Sequence, residues 1–292
     1  MLKHELSHDS TMIEFTKWFR TIKKPFVIAN PGIGDAVMAA RMASYLGTAV
    51  FHDTDTEYRE KFSREFCKLI NVPYFSCFKQ NGKILDKIYK NQKFFHKHQI
   101  TFPQFLAKKG NNVDITMKEI YDQTHGLERN QRTDKKIILI CPCASNRDDH
   151  KKRYMTRNQL SKTISFANPE KNKIYLIGID KDIGQLGHHQ YCEWLNSESI
   201  TKENGLKIPC SMSDFINIIG QSSHVVTMDT FLTHITSIFK IPTTVVYKYN
   251  QKNEPTISPD ANDKFFLNPS WYSHIQRATY EELYSFLEKG IN

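Results

Sequence analysis

The sequence predicts an α/β protein made of two Rossmann-like, doubly wound domains in tandem, with a ligand cleft expected between them. Three observations carry this. Short apolar runs with strand character alternate with stretches of helical periodicity. The first run leads straight into a glycine turn and a helix. Midway, the polar stretch His125 to Lys136 has no hydrophobic period, as befits a linker, and the rhythm restarts after it. The expected domains are residues 1–130 and 131–292.

Taken in order, an amphipathic stretch (Met12 to Lys23) precedes a short buried strand, Phe26 to Ala29. Pro31-Gly32-Ile33-Gly34-Asp35 follows, then a helical pattern through Ala36, Val37, Ala40 and Leu46. A second strand, Ala49 to Phe51, ends in His52-Asp53-Thr54-Asp55, and a charged helix runs from Glu57 to Leu69. Tyr74 to Cys77 reads as a third strand. Beyond the linker, Ile137 to Cys141, Ile174 to Ile179, His224 to Met228 and Thr243 to Tyr247 read as buried strands. Helices are expected at Arg157 to Ala167, Ser213 to Gln221 and Thr230 to Phe239, with a last one at Thr279 to Lys289.

A length of 292 residues suits two medium domains at roughly 150 residues each. With 39% hydrophobic residues, 19 Phe and 13 Tyr, there is material for two cores, and 11 Pro with 12 Gly exclude a collagenous or low-complexity chain. Apolar runs are short (Ile137 to Cys141, then Pro142), so no membrane-spanning helix is expected, and the polar start MLKHELSHDS does not read as a secretory leader. A cytoplasmic protein is expected, with peripheral association with the inner membrane surface left open. Cysteines at 67, 77, 141, 143, 192 and 210 lack zinc-ribbon spacing and read as reduced thiols. The net charge of +9 and a pI near 9.1 point to an acidic partner.

Three segments carry candidate chemistry. In Pro31 to Asp35, two glycines let the backbone approach another molecule, and Asp35 falls at a helix start, where the plainer reading is a cap. Val37 occupies the third glycine position of a dinucleotide fingerprint, which argues against that class. In Cys143 to Tyr154, Ser145 and Asn146 precede the cations Lys151, Lys152 and Arg153, a set able to grip a diphosphate or simply a solvated loop. In Val225 to His234, a strand gives way at Asp229-Thr230 to a helix whose first N–H groups suit an anion, or are merely capped.

In this order and spacing, the blocks resemble the heptosyltransferase family of glycosyltransferases (glycosyltransferase family 9), which has the two-domain GT-B fold. Ile33-Gly34-Asp35 is similar to the family's IGD turn. Ser145 to Asp149 with Lys152-Arg153-Tyr154 is similar to its RDD-like run and K-x-W. Asp229 to His234, followed by Pro242 and a strand, is similar to its D-T-G-x-x-H signature, and Met212-Ser213-Asp214 to its M-S-L stretch. Phe231 stands where the signature has glycine, Tyr154 where it has tryptophan, and about two extra residues separate the RDD run from the cation.

The resemblance implies a metal-independent, inverting transfer from a nucleotide-diphosphate sugar, with no further cofactor. Asp35 is then the base. Ser145, Asn146, Lys152 and Arg153, with the N–H groups of Thr230 and Phe231, hold the diphosphate. Asp229, Asp182 (or Asp180), Met212 and His234 serve the donor's sugar and nucleoside, and Gly32 and Gly34 border the acceptor. The implied acceptor is lipopolysaccharide core or a related surface glycan.

Lys79, Lys83, Lys87, Lys90, Lys93 and Lys97 form one helical stripe with Asp86 the sole acid between 79 and 98. Such a stripe is either a solvated face or a site for a polyanionic acceptor, for which Lys83, Lys87 and Lys90 are the contacts expected. Two alternatives stand beside the glycan reading: a phage-type glycosyltransferase acting on hydroxymethylated DNA bases, and an inactive nucleotide- or nucleic-acid-binding module that Phe231 would favour. Asp53-Thr54-Asp55 is a D-x-D, read here as turn and cap chemistry, and the histidines show no ligand spacing.

Overall fold

The computed structural model describes residues 13–14, 17, 26–29, 31–54, 56–78, 118–120, 122–123, 127, 129, 136–144, 154–196, 211–228, 230–246 and 274–289. Ser145, Asn146, Lys152, Arg153, Asp229 and the lysine stripe, Lys83, Lys87 and Lys90 included, lie outside the described residues. The chain divides into two compact units, Met1–Gly126 and Leu127–Asn292.

In the first unit, β1 (Val27–Ala29), α1 (Ile33–Leu46), β2 (Val50–His52), α2 (Glu57–Leu69) and β3 (Tyr74–Ser76) alternate along the chain. The strands form a parallel sheet in the order β1-β2-β3, with Ala29, His52 and Ser76 side by side at its carboxyl end. Helix α1 buries Ala36, Ala39, Ala40 and Ala43, small residues that let it lie close against its neighbours. It stops at Gly47, whose φ of 60° is the left-handed conformation glycine adopts freely, and whose N–H returns to Ala43 and Ser44 carbonyls. Arg41, fully buried on the same helix, donates from Nη2 to the Ile120 carbonyl at 2.9 Å. That bond ties α1 to the distant segment at 118–123.

The second unit contains β4 (Ile137–Cys141), α3 (Arg157–Phe166), β5 (Lys173–Gly178), α4 (Asp180–Leu186) and β6 (Cys192–Asn196). After these come α5 (Met212–Gln221), β7 (His224–Thr227), α6 (Phe231–Thr236), β8 (Thr243–Val246), β9 (Ile275–Ala278) and α7 (Tyr280–Glu288). All six strands are parallel, in the order β6-β5-β4-β7-β8-β9. This is the doubly wound order, reversing direction between β4 and β7. One face of the sheet, with Ile138, Ile140, Leu176, Val226 and Val246, packs on Leu160 and Ile164 of α3 and Leu283 and Leu287 of α7.

The α/β class expected from the alternation is the class observed. Two strands, β6 and β9, and helix α4 escaped the reading of the sequence. Both strands lie at sheet edges, where a strand is buried less completely and its apolar run is shorter. Helix α6 ends at Thr236, before the expected Phe239. Beyond it the chain tightens into i+3 hydrogen bonds (Ile238 N–H to Ile235, Phe239 N–H to Thr236) and turns at Lys240, whose φ is 52°. No helix among the described residues is long and apolar enough to cross a membrane.

Candidate functional site

In a parallel sheet the strands' carboxyl ends, and the helix starts beside them, form the edge where ligands bind. On the first unit that edge begins with Gly32, the residue that opens α1 in extended conformation (φ −74°, ψ 146°) without a side-chain cap. Asp35 is therefore not the cap. It is the third residue of the helix, half-exposed, and its carboxylate favours the positive end of the helix dipole. The carboxylate folds back over the turn: a Cβ at position 32 would lie only 2.6 Å from Asp35 Oδ2. Gly32 thus clears the space the carboxylate occupies. Gly34, between the two, is half-buried.

Next along the edge, Asp53 N–H donates to the Ala29 carbonyl at 2.9 Å, and Cys77 N–H to that of His52 at 3.1 Å. The Cys77 thiol donates to Asp53 Oδ1 at 3.2 Å and lies 3.0 Å from the Thr54 carbonyl. Burial, reinforced by the Asp53 carboxylate, pushes that thiol up to about 11. Asp53 and the buried Thr54 are thus engaged in the turn after β2; Asp55 lies outside the described residues.

On the second unit, the reversal between β4 and β7 places Cys141, Cys143, Thr227 and Met228 together. The Met228 N–H donates to the Cys141 carbonyl at 3.2 Å, and the Thr227 and Thr230 hydroxyls lie 3.0 Å apart. The Thr230 hydroxyl caps α6 by accepting from the Leu232 N–H at 3.2 Å, and its oxygen donates to Cys141 Sγ at 3.9 Å. Cys141 is buried, which pushes its thiol up to about 12, and burial raises Cys143 as well. Neither is an activated nucleophile at neutral pH.

The residues flanking the cationic stretch of sequence are fixed at the same place. Cys143 and Tyr154 form an antiparallel bridge, and the Met155 N–H donates to the Pro142 carbonyl at 2.8 Å. Ala144 and Tyr154, the described residues on either side of Ser145 to Arg153 in the sequence, therefore lie near the carboxyl end of β4. At the neighbouring end of β5, Asp182 Oδ2 accepts from the Ile179 N–H at 3.0 Å. Burial raises the Asp182 carboxyl, an effect that the Ile179 and Cys143 hydrogen bonds oppose. Asp180, two residues earlier, is exposed.

Met212 and His234 are both buried, at 4% and 6% exposure. Phe231 is half-buried, its ring 6.3 Å from that of Phe215 and tilted by 36°. Sequence reasoning missed Cys143 as the partner of Asp182. It also missed Tyr280, which crosses from α7 to lie 3.9 Å from Met228 Sδ. A thiol two residues after a strand carries no signal of its own, and Tyr280 sits far along the chain after an irregular stretch. Among the described residues no three His, Cys, Asp or Glu side chains gather as a metal site would require.

The chain is similar to solved structures of heptosyltransferases. Escherichia coli ADP-heptose LPS heptosyltransferase II matches with a TM-score of 0.51 at 10% identity, over 88% of this chain and 93% of that one. E. coli heptosyltransferase WaaC with ADP matches with a TM-score of 0.46 at 13% identity, over 91% and 97%. The first likeness establishes a shared fold, the one implied by the sequence resemblance. No protein-family model and no curated protein matches the sequence.

Proposed function

We propose that this protein is a metal-independent, inverting glycosyltransferase. It moves a sugar from a nucleotide-diphosphate sugar to a hydroxyl on a polyanionic acceptor, in the manner of a heptosyltransferase acting on lipopolysaccharide or a related surface glycan. The observation that supports this most directly is Asp35, a half-exposed carboxylate set over a glycine at the carboxyl edge of the first sheet. The second unit supplies a doubly wound sheet, and Cys143 and Tyr154, which bound the cationic run in the sequence, are bridged at the end of β4. The fold shared with a heptosyltransferase agrees with both.

In the proposed reaction Asp35 accepts the proton of the acceptor hydroxyl as its oxygen bonds to the anomeric carbon. The bond from that carbon to the diphosphate oxygen breaks on the opposite face, inverting the centre. The electron pair leaves with the diphosphate, whose charge is met by Lys152 and Arg153 with Ser145, Asn146 and the N–H groups at Thr230 and Phe231. Asp229 takes the sugar hydroxyls, alongside His234, and Met212 backs the nucleoside. Asp182, or in its place Asp180, accepts from a ribose hydroxyl. Lys83, Lys87 and Lys90 meet acceptor phosphates.

The test joins binding and turnover. Nucleotide-diphosphate sugars are screened for a rise in melting temperature, since a bound donor stabilises the native state by mass action. Asp35→Asn is then expected to lower kcat by about a thousandfold, the scale of lost general-base catalysis, with donor affinity kept. A fully active variant overturns the assignment. A second reading, the same transfer to hydroxymethylated DNA bases, is favoured by the net charge of +9. Steeply salt-dependent retention on duplex DNA supports it, and indifference to DNA supports the glycan.

A further inference from the structure

Strands β4 and β5 are paired as far as Ile140 and Leu176. Past that point Pro142 has no N–H to give, and a side-chain pair joins the two strand ends. The Cys143 thiol donates to the carboxylate of Asp182, in the first turn of α4. That carboxylate is itself fixed. Its Oδ2 accepts from the Ile179 N–H at 3.0 Å, a side-chain bond at a helix start whose N-cap is apolar. Gly178 lies directly behind it: a Cβ there would stand 3.2 Å from Asp182 Oδ2, 3.1 Å from Asp182 Cβ and 2.8 Å from Trp194 Cζ3. Trp194 is buried, and its indole N–H donates to the Gly187 carbonyl at 3.1 Å, so the ring has no room to withdraw. Asp182 is thus seated between a bare backbone, a helix N–H and a thiol from the neighbouring strand. Cys143, in turn, is bridged to Tyr154.

We propose that Asp182 is a positioning residue, which clasps the end of β4 to the end of β5 and acts on the ligand edge through Cys143 rather than by touching the donor. The inference deepens the glycosyltransferase reading and rests on it where the donor is concerned: Cys143 stands two residues before Ser145, and the ribose is left to the exposed Asp180. A carboxylate that already takes an N–H and an S–H has less to offer a hydroxyl. Turning it toward a ligand would deprive both donors of their acceptor. The charged and titratable groups around the pair are Lys181 on α4, Cys141 on β4 and Tyr280 on α7. Burial first, and the Asp182 charge next, raise the Cys143 thiol.

The experiment reads the clasp and the ligand separately, in the full chain. Iodoacetamide attacks as the thiolate forms, and mass spectrometry reports each cysteine. Asp182→Asn takes the charge from beside Cys143, so alkylation of Cys143 at pH 8 is expected to rise about tenfold, as one pKa unit gives, with Cys77 in the other unit unchanged. Asp182→Asn and Cys143→Ala are each expected to lower the melting temperature, and the double variant to fall no further than the worse of the two. Cys143→Ser, which keeps a donor, should melt above Cys143→Ala. ADP, GDP, UDP and CMP are then screened by thermal shift, and the one that binds is titrated by calorimetry. Asp182→Asn and Cys143→Ala are expected to weaken it equally, by about threefold to tenfold, because they break one bond. Unchanged alkylation of Cys143, or additive losses in the double variant, overturn the clasp. Weaker nucleotide binding in Asp182→Asn with wild-type binding in Cys143→Ala makes Asp182 a ligand contact and overturns its positioning role. If Asp182→Asn does not fold, equal melting of Cys143→Ser and Cys143→Ala overturns the bond. Failure of all four nucleotides to bind the wild type overturns the glycosyltransferase reading, while alkylation and melting still decide the clasp.

Discussion

The two units open their helices differently. In the second, α3, α5, α6 and α7 each begin on a Thr or Ser (Thr156, Ser211, Thr230, Thr279) whose hydroxyl accepts a backbone N–H. At Thr156, Ser211 and Thr279 a residue three positions on bonds back, closing a capping box. In the first, neither Gly32 before α1 nor Thr56 before α2 makes a side-chain cap. Apart from α4, which opens on Ile179 with no side-chain cap, the second unit therefore spends its helix-start side chains on stability. At α1, the first gives up a cap for a glycine, and the space gained is filled by the Asp35 carboxylate. The contrast teaches that a helix start can either be capped by its first side chain or leave its turn open for a carboxylate to fold over.

Gly32→Ala breaks the contrast most sharply. Its new Cβ would stand 2.6 Å from Asp35 Oδ2, the end of a side chain that can rotate where the helix backbone cannot, so the carboxylate moves. At φ −74° alanine adopts the backbone without strain. The expected result is a melting temperature nearly unchanged and a kcat lowered about a hundredfold, the scale of a base displaced by an ångström. Steady-state kinetics read beside calorimetric donor binding check it. A variant with wild-type turnover would show that the carboxylate's position is immaterial.

The same contrast explains how much the sequence could tell. The glycine turn and Asp35 were legible because glycine flanked by a strand and a helix has few other uses. Strands β4, β5, β7 and β8 were legible because buried parallel strands are continuous apolar runs. Edge strands β6 and β9 were not, being built of mixed residues such as Cys-Glu-Trp-Leu-Asn and Ile-Gln-Arg-Ala. Nor was Arg41, since a cation in a helix reads as exposed until Ile120, far along the chain, supplies the carbonyl that admits it to the interior. The pairing of Cys143 with Asp182 likewise joins two strand ends that no local pattern connects.

His224 tests whether the second unit's stability depends on pairing its polar groups. It begins β7, with Nε2 3.0 Å from the Thr244 hydroxyl and its ring 5.0 Å from that of Phe286. Burial lowers it from 6.5 to about 4. The unfolded chain therefore binds the proton more readily than the native one, so native stability is complete above pH 6.5 and falls as the pH drops toward 4. At pH 5 the loss from this residue is about 2 kcal/mol. His224→Gln cannot take up that proton, and the difference in melting temperature between variant and wild type should shift in the variant's favour between pH 7 and 5. A difference that stays constant would mean that His224 titrates normally.

The smallest effect sharpens the comparison from the capped side. Thr279 accepts from the Glu282 N–H at 3.2 Å, and Glu282 Oε2 accepts from the Thr279 N–H at 2.7 Å, closing the box that starts α7. Thr279→Ala removes the hydroxyl arm and should cost about 1 kcal/mol. The loss should appear as a melting temperature lower by a few degrees, with donor affinity unaltered. Since α7 also carries Tyr280 to Met228 at the reversal of the sheet, loosening its first turn has a route to the site. If Thr279→Ala weakens nucleotide binding as well as stability, the second unit's caps serve the ligand edge too, and the division of labour between the units is less complete than their helix starts suggest.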